Sequence, residues 1–418
     1  MPETFLNDVV VIGGGGHVGL PLAIALADRG SKVVVYDVSS RAVDTINSGK
    51  VPFSEPGAEP VLQKVLADGR FTASTDASVV GTARNVIVVI GTPVDEHLNP
   101  DPNAIPAALG GCSEYFRDGQ LLVLRSTVYP GVTALVEKMV AGLGVDMPVA
   151  FCPERIAEHK AMEELFTLPQ IVSSRSDSGR ARAAELFGTL TEQIVHLEPE
   201  EAELAKLFTN TWRYIKFAAA NQFYMMANDR GLDFEKIRKG LTQDYPRAKD
   251  LPGPGFAAGP CLFKDTMQLA AFSDNKFALG HSAMLVNEGL PLYLVSQLEK
   301  RFDLSELTVG ILGMSFKAGS DDIRSSLSYK LRRVLKFKAK AVLSTDPYVS
   351  EEVDDTLLPL EDVLQKADIL IVATPHDEYR GLDTDKPIAD VCDKKTAEDL
   401  ADRLNENEYQ REQDRWSA

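Results

Sequence analysis

Nothing in the chain restricts its fold more than residues 8–37. Asp8-Val-Val-Val-Ile12 is a short apolar run of the kind that forms a buried parallel strand. It feeds Gly13-Gly-Gly-Gly-His-Val-Gly19 and then Leu20-Pro-Leu-Ala-Ile-Ala-Leu-Ala27, which reads as a helix. Gly14, Gly16 and Gly19 stand in the G-x-G-x-x-G spacing, with His17 and Val18 inside the turn, and a second strand, Lys32–Tyr36, ends at Asp37. The glycines permit a tight turn and close approach of a pyrophosphate, which the helix N-terminus attracts. Asp37 can accept hydrogen bonds from a ribose diol and repels a 2′-phosphate. The motif therefore calls for NAD rather than NADP.

Strands and helices go on alternating, as a doubly wound sheet requires. Asn85–Ile90 leads into Gly91-Thr92-Pro93, Gln120–Leu124 into Arg125-Ser-Thr127-Val-Tyr-Pro-Gly131, and Pro148–Phe151 into Cys152-Pro-Glu154-Arg155. Ligands of such sheets bind at the carboxyl ends of the strands. Thr127 and Glu154 are thus site candidates, each also suited to capping the next helix. From Pro199 to Gly231 the spacing turns helical, and Lys206 and Asn210 share one face among Leu, Phe and Ala. Such a lysine either snorkels to solvent or brings an ammonium into a pocket beside the amide. Helical spacing returns from Met267 to about Phe302. A second α/β stretch has strands at Leu307–Leu312, Ala341–Ser344 and Ala367–Ala373, the last two leading into Asp346-Pro347 and Thr374-Pro-His376.

The expected fold is α/β, with two Rossmann-like doubly wound parallel-sheet domains joined by a central helical domain. The divisions are 1–198, 199–302 and 303–418, and 418 residues suit two or three domains. The polar tail after Asp393 is expected to be frayed or a surface helix.

Between the helices lies Leu251-Pro-Gly-Pro-Gly-Phe256-Ala-Ala-Gly259-Pro-Cys261-Leu-Phe-Lys-Asp265, followed by an expected helix at Thr266–Phe272. Glycines let this loop approach a ligand, and prolines stiffen it. A thiol beside Lys264 at a helix N-terminus has the electropositive setting of a nucleophile; the alternative is a buried structural cysteine. The four cysteines are widely spaced, with no CxxC pair, so neither a disulfide framework nor a metal site is indicated, and a reducing cytoplasm fits. The N-terminus lacks a basic signal-peptide region, no apolar run reaches the length of a membrane span, and a net charge of −17 argues against nucleic acid as a partner.

Together these residues resemble the UDP-glucose/GDP-mannose dehydrogenase family, over about residues 7–390. The resemblance rests on G-x-G-x-V-G-L-P-L-A at 14–23, S-T-V-x-P-G at 126–131, P-E at 153–154, A-K-L-x-x-N at 205–210, G-x-x-x-G-P-C-L-x-K-D at 255–265 and F-K-x-x-x-x-D-x-R-x-S at 316–326. It implies an NAD-dependent four-electron oxidation of a sugar C6 alcohol to the carboxylate, in polysaccharide biosynthesis. Cys261 would be the nucleophile, passing through a thiohemiacetal and a thioester, with Lys206 and Asn210 stabilising the oxyanion. Asp265 and Thr127 would handle water and the substrate hydroxyl, and Glu154 would be the base for hydrolysis.

The resemblance also implies that Arg155, Glu158, Phe256, Gly259, Phe316 and Lys317 contact the nucleotide sugar, Lys317 at its phosphates. Thr92 and Arg324 would lie near NAD. Arg247 would reach the sugar of a neighbouring subunit, which implies a homodimer built through the central helices. P-E-R with G-P-C-L-F-K-D is closer to members acting on UDP-N-acetylmannosamine or UDP-N-acetylglucosamine than to those acting on UDP-glucose. Three places depart from the family pattern: Arg125 replaces a lysine, His159 stands where glycine commonly follows Glu158, and the C-terminal end lacks a glycine-and-tyrosine ending. The competing classes are a two-electron hydroxyacid dehydrogenase, which needs neither the thiol nor a second α/β domain, and a catalytically silent NAD and nucleotide-sugar binder.

Overall fold

The computed structural model describes residues 5–390 apart from 93, 96–99, 258 and 383, so the tail after Asp393 lies outside the described residues. The chain forms two compact units, Met1–Asn210 with Lys264–Lys276, and Thr211–Phe263 with Phe277–Ala418.

The first unit is built on a sheet of eight strands: β1 Asn7–Ile12, β2 Val33–Tyr36, β3 Phe71–Ser74, β4 Ala83–Val88, β5 Leu121–Leu124, β6 Val149–Phe151, β7 Gln170–Ser173 and β8 Ile194–Leu197. Their order is β3-β2-β1-β4-β5-β6-β7-β8. Neighbours run parallel except β6 and β7. β1 lies inside the sheet, with Val9 opposite Val33 and Val10 opposite Val34. Successive side chains of a strand point to opposite faces, so Val9 and Val11 enter one core while Val10 and Ile12 enter another. This two-sided burial is why the strand reads as an unbroken apolar run. Leu20, Leu22, Ile24 and Leu26 of the following helix, Gly19–Asp28, are fully buried on the first of those cores, each contributing roughly 1.5–3 kcal/mol.

The second unit carries helical segments and a four-stranded parallel sheet: β9 Thr308–Leu312, β10 Ala341–Thr345, β11 Ile369–Val372 and β12 Ile388–Asp390, in the order β10-β9-β11-β12. It too has two cores, with Val309 and Ile311 on one face and Leu312 and Leu370 on the other. The architecture is therefore two Rossmann-like sheets with a set of helices between them in sequence.

One helical expectation needs correction. The helix after the cysteine loop begins at Leu262 rather than Thr266, so Asp265 lies in its first turn. The helical spacing from Met267 to about Phe302 belongs to two helices, Leu262–Phe272, which ends where expected, and Ala278–Glu299; between them Asp274 and Asn275 take left-handed φ values of 53° and 58°. Asp and Asn tolerate that conformation and end a helix there.

Candidate active site

The dinucleotide cradle is in the first unit. Gly13 has φ +72°, and a Cβ there would sit 2.3 Å from the Val89 carbonyl oxygen, so this residue, ahead of the motif glycines, makes the turn. A Cβ on Gly19 would lie 2.7 Å from Gly14 Cα, which fixes the helix against the turn. A Cβ on Gly16 would meet nothing within 4 Å, leaving the space beside the helix N-terminus that a pyrophosphate needs. Asp37 closes β2: Oδ2 accepts from Gly15 N–H at 2.9 Å and Oδ1 from Ser39 N–H at 3.0 Å. The ring of His17 stacks on Phe53 at 4.0 Å, and Val18 precedes the helix as its cap. These residues fit NAD.

The same unit gathers Asn210, Asp265, Lys264, Thr92 and Thr127. Asn210 Nδ2 donates to Asp265 Oδ2 at 2.6 Å, and both residues are buried. Lys264 Nζ donates to the Thr92 carbonyl and hydroxyl, 3.1 Å each, and pairs with Asp265 Oδ1 at 3.4 Å. Thr92 Oγ1 in turn donates to the Thr127 carbonyl at 2.7 Å. Lys206, half-buried, lies one turn before Asn210 on the Pro199–Asn228 helix. Three residues before Lys206 on the same helix, Glu203, 1 % exposed, accepts from Gly131 N–H, Thr133 N–H and the Thr133 hydroxyl at 2.7, 2.8 and 2.5 Å, holding the loop after Thr127.

Residues 152–161 form a loop pinned by three carboxylates. Glu154 Oε2 pairs with buried Arg125, while its Oε1 accepts from Arg155 N–H at 2.6 Å and Ile156 N–H at 3.0 Å. Arg125 also donates to Cys152 O at 2.9 Å and Gln170 Oε1 at 3.0 Å, with its guanidinium over the Phe187 ring. A rigid planar fork reaches these three acceptors in fixed directions while its face lies on an aromatic ring, a geometry the compact ammonium of a lysine does not reproduce. Glu55 accepts from His159 N–H and Ala161 N–H at 2.9 Å each, and Glu164 takes Ala157 N–H at 2.6 Å. Glu158 and Arg155 are half-buried in this loop, and Arg155 donates to the Pro169 carbonyl. His159 has φ +64°, which is why glycine suits that position.

In the second unit, Cys261 is exposed and immediately precedes the helix Leu262–Phe272. Asn221 fixes the loop that leads to it, accepting from Gly255 N–H at 2.8 Å and donating to Gly255 O at 3.0 Å. Gly259, at φ +102°, lies so close to the Phe316 ring that a Cβ would stand 2.6 Å away. Phe256, partly buried, packs against the core that contains Val309, Ile311 and Leu331. Lys317 Nζ is 5.5 Å from the Phe316 ring centre. Arg324 forms a fork with Asp322, Nε donating at 2.9 Å and Nη2 at 2.6 Å. Arg247 is exposed, near the Tyr245 ring.

Burial separates the thiols. It raises Cys112 to about 11 and Cys152 to about 12, Arg125 opposing only part of the latter shift. Of the three described thiols, Cys261 alone is exposed. Gly13, Glu55 and Glu203 are contributors beyond the sequence candidates, and Lys264, singled out in the sequence for its charge beside the thiol, also bonds Thr92. For Glu55 and Glu203 no local signal exists, since the amides they hold are 104 and 72 residues away. Among the described residues no group of three or more His, Cys, Asp or Glu could hold a metal ion, and no helix is long and apolar enough to cross a membrane.

An open, mostly parallel sheet with a glycine turn after its first strand and an acid closing the second defines a dinucleotide-binding domain. Sequence models of the UDP-glucose/GDP-mannose dehydrogenase family match three successive stretches: its NAD binding domain over residues 7–191, its central domain over 200–289 and its UDP binding domain over 310–405. The chain belongs to this family, and is an NAD-dependent nucleotide-sugar dehydrogenase. It is 31% identical over 386 residues to the UDP-N-acetyl-D-mannosamine dehydrogenase of Pyrococcus horikoshii, covering 89% of this chain and 90% of that one. The solved structure of a UDP-D-ManNAc dehydrogenase from that organism matches with TM-score 0.85 at 29% identity, over 92% of this chain and 95% of the other. A UDP-glucose dehydrogenase from Pyrobaculum islandicum matches with TM-score 0.88 at 28% identity, over 95% and 97%.

Proposed function

We propose that the chain oxidises the C6 alcohol of UDP-N-acetylmannosamine or UDP-N-acetylglucosamine to the carboxylate, through covalent intermediates on Cys261. NAD takes up one hydride in each of two oxidations. The substrate hydroxyl loses its proton as the C6 aldehyde forms. The Cys261 thiolate adds to that carbonyl carbon, giving a thiohemiacetal; loss of the second hydride leaves a thioester, and water cleaves its C–S bond, releasing the carboxylate and restoring the thiol. Lys206 and Asn210 supply positive charge and an N–H to the oxygen at C6. Asp265 orders the Asn210 amide and accepts protons from substrate or water, with Thr127 beside it.

Glu154 was expected to be the base for hydrolysis. Its carboxylate is committed to Arg125 and two backbone N–H groups, and on that geometry we assign it to positioning Arg155 and Glu158. In this reading Lys317 holds the phosphates, Phe256, Gly259 and Phe316 line the nucleotide-sugar side, and Arg324 neighbours NAD. The divisions 1–198, 199–302 and 303–418 carry the cofactor, the cysteine loop and the nucleotide sugar, and the chain works in a reducing cytoplasm as a homodimer.

The observation that carries the covalent route is the exposed thiol ahead of a helix, where the other two described thiols are buried. The acetamido sugars are favoured by P-E-R and G-P-C-L-F-K-D and by the likeness to UDP-N-acetyl-D-mannosamine dehydrogenases. UDP-glucose is the second reading, favoured by the likeness to the Pyrobaculum enzyme. Purified protein given NAD and a panel of UDP-sugars should form two NADH per sugar consumed, without free aldehyde, and fastest with an acetamido sugar. Cys261→Ser should lower steady-state turnover by orders of magnitude while retaining nucleotide-sugar binding. One NADH per sugar, or near-normal turnover by the serine variant, would overturn the covalent route.

A further inference from the structure

The second unit contains a buried polar cluster that the reaction above does not use. His376, just past β11, and Asp346, just past β10, have fully buried side chains. His376 Nε2 lies 3.1 Å from Asp346 Oδ2 and 3.1 Å from Ser315 Oγ. Its Nδ1 is 3.1 Å from the N–H of Gly319, a group that only donates. Nδ1 therefore acts as acceptor, and the proton of the neutral ring sits on Nε2, aimed at Asp346 and Ser315. Ser315 Oγ in turn donates to the Lys317 carbonyl at 3.0 Å.

Asp346 is also fully committed. Oδ2 accepts from Met314 N–H at 2.7 Å and Ser315 N–H at 2.9 Å, while Oδ1 accepts from Tyr348 and Val349 N–H at 2.9 and 3.2 Å. Thr374 and Ser326 hydroxyls both donate to the Ser315 carbonyl. The backbone of residues 314–319 is thus tied at Met314, Ser315, Lys317 and Gly319 to one imidazole–carboxylate pair and its neighbours.

A comparison within the chain gives this pair its meaning. Asp346 follows β10 as Asp37 follows β2, and both carboxylates accept N–H groups of the turn after the neighbouring strand, Gly15 in one case and Met314 and Ser315 in the other. In the first unit that acid is the ribose acceptor of a dinucleotide site. In the second, His376 occupies the acid, which is buried and so cannot meet a ribose. An acid that reads a ligand in one sheet secures a loop in the other.

We propose that His376, fixed by Asp346, is a positioning residue for the nucleotide sugar: it sets the 314–319 loop and hence Lys317. This rests on the reading that Lys317 holds the substrate phosphates. A ring that only fills space would affect stability and every kinetic constant together; a positioning residue should act on substrate affinity.

The test compares His376→Phe, His376→Asn and Lys317→Ala in the full chain, with KM for the UDP-sugar, KM for NAD, kcat, and UDP affinity by calorimetry. Phenylalanine keeps the ring volume and loses both hydrogen-bonding nitrogens. Asparagine keeps an acceptor for Gly319 N–H, and it serves as the second variant if His376→Phe does not fold. The expected result is a rise of about tenfold in UDP-sugar KM and UDP Kd for His376→Phe, a smaller rise for His376→Asn, and kcat and NAD KM within about twofold of the parent. Lys317→Ala should show the same pattern. A large effect of Lys317→Ala with none from either His376 variant overturns the positioning role alone. No effect of Lys317→Ala on UDP-sugar KM removes the reading beneath it as well. A parallel fall in kcat and NAD affinity in both His376 variants would mark a merely structural residue and also end the proposal.

Discussion

Cys112 and Cys152 show what burial does to a thiol. The charged form is disfavoured where water is excluded, so both keep their protons to about 11 and about 12. Alkylation requires thiolate and access together. Iodoacetamide applied to the folded protein near neutral pH should therefore label Cys261 and leave Cys112 and Cys152 unmodified, with activity falling as Cys261 is consumed. Peptide mapping reads this directly, and equal labelling of Cys152 before unfolding would contradict the burial. His159 offers a stability test. Its left-handed backbone costs a residue bearing Cβ on the order of 1 kcal/mol, only partly offset by the extra freedom glycine gives the unfolded chain. His159→Gly should therefore raise the midpoint of denaturant unfolding; a lowered midpoint would show that contacts of the imidazole outweigh the strain. Residue-level legibility was uneven for a plain reason. Gly14, Gly19, Asp37 and Asn210 announce themselves through spacing, whereas Glu55 and Glu203 act on amides brought to them by the fold.

Helices and loops matter here by what they hold in place. Asn221, on the Pro199–Asn228 helix, is fully buried and pairs with Gly255 through both N–H and C=O. It also donates to Asn287 Oδ1 at 2.9 Å, and Asn287 donates to the Tyr214 carbonyl at 3.1 Å. Two long helices are thus joined to the start of the cysteine loop by side-chain amides that imitate backbone. Asn221→Ala would remove both bonds to the half-buried Gly255 and the buried bond to Asn287, and should cost about 1–3 kcal/mol of stability. If that clamp also orders the approach to Cys261, kcat should drop about tenfold or more with NAD KM little changed, which steady-state kinetics would decide. Unaltered kcat would make the clamp purely structural. The same scale explains the elements that sequence reading missed. Phe71–Ser74 and Ile194–Leu197 are four-residue strands at the two edges of the sheet, one alternating and one only half-buried, too short to carry a period. The central strands were legible because burial on both faces leaves an unbroken run of Val, Ile and Leu.

On the molecular scale the apolar surface is unevenly spent. In the second unit, Trp212, Phe223 and Met226 on one helix and Leu285 and Leu292 on another are exposed. Trp212 and Phe223 are eleven residues apart, close to three whole turns, and Leu285 and Leu292 are seven apart, close to two, so each pair shares a helix face. Apolar faces of this kind are usually covered by a partner, and a second copy of the chain is the partner we propose. Light scattering should give twice 45.6 kDa, and Phe223→Glu with Leu292→Glu should give the monomer mass. Whether the two copies share sites is a stronger question, because Arg247 is exposed on the same unit and is proposed to reach the partner's sugar. Arg247→Ala and Cys261→Ser homodimers should each be nearly inactive. Co-expressed, they form heterodimers in which one site unites an intact Cys261 from one copy with an intact Arg247 from the other. Random pairing makes half the dimers mixed, each with one whole site of two, so activity should recover to about a quarter of the parent. If Arg247 serves its own subunit instead, every mixed site lacks one of the two residues, and the co-expressed protein will be no more active than the variants apart.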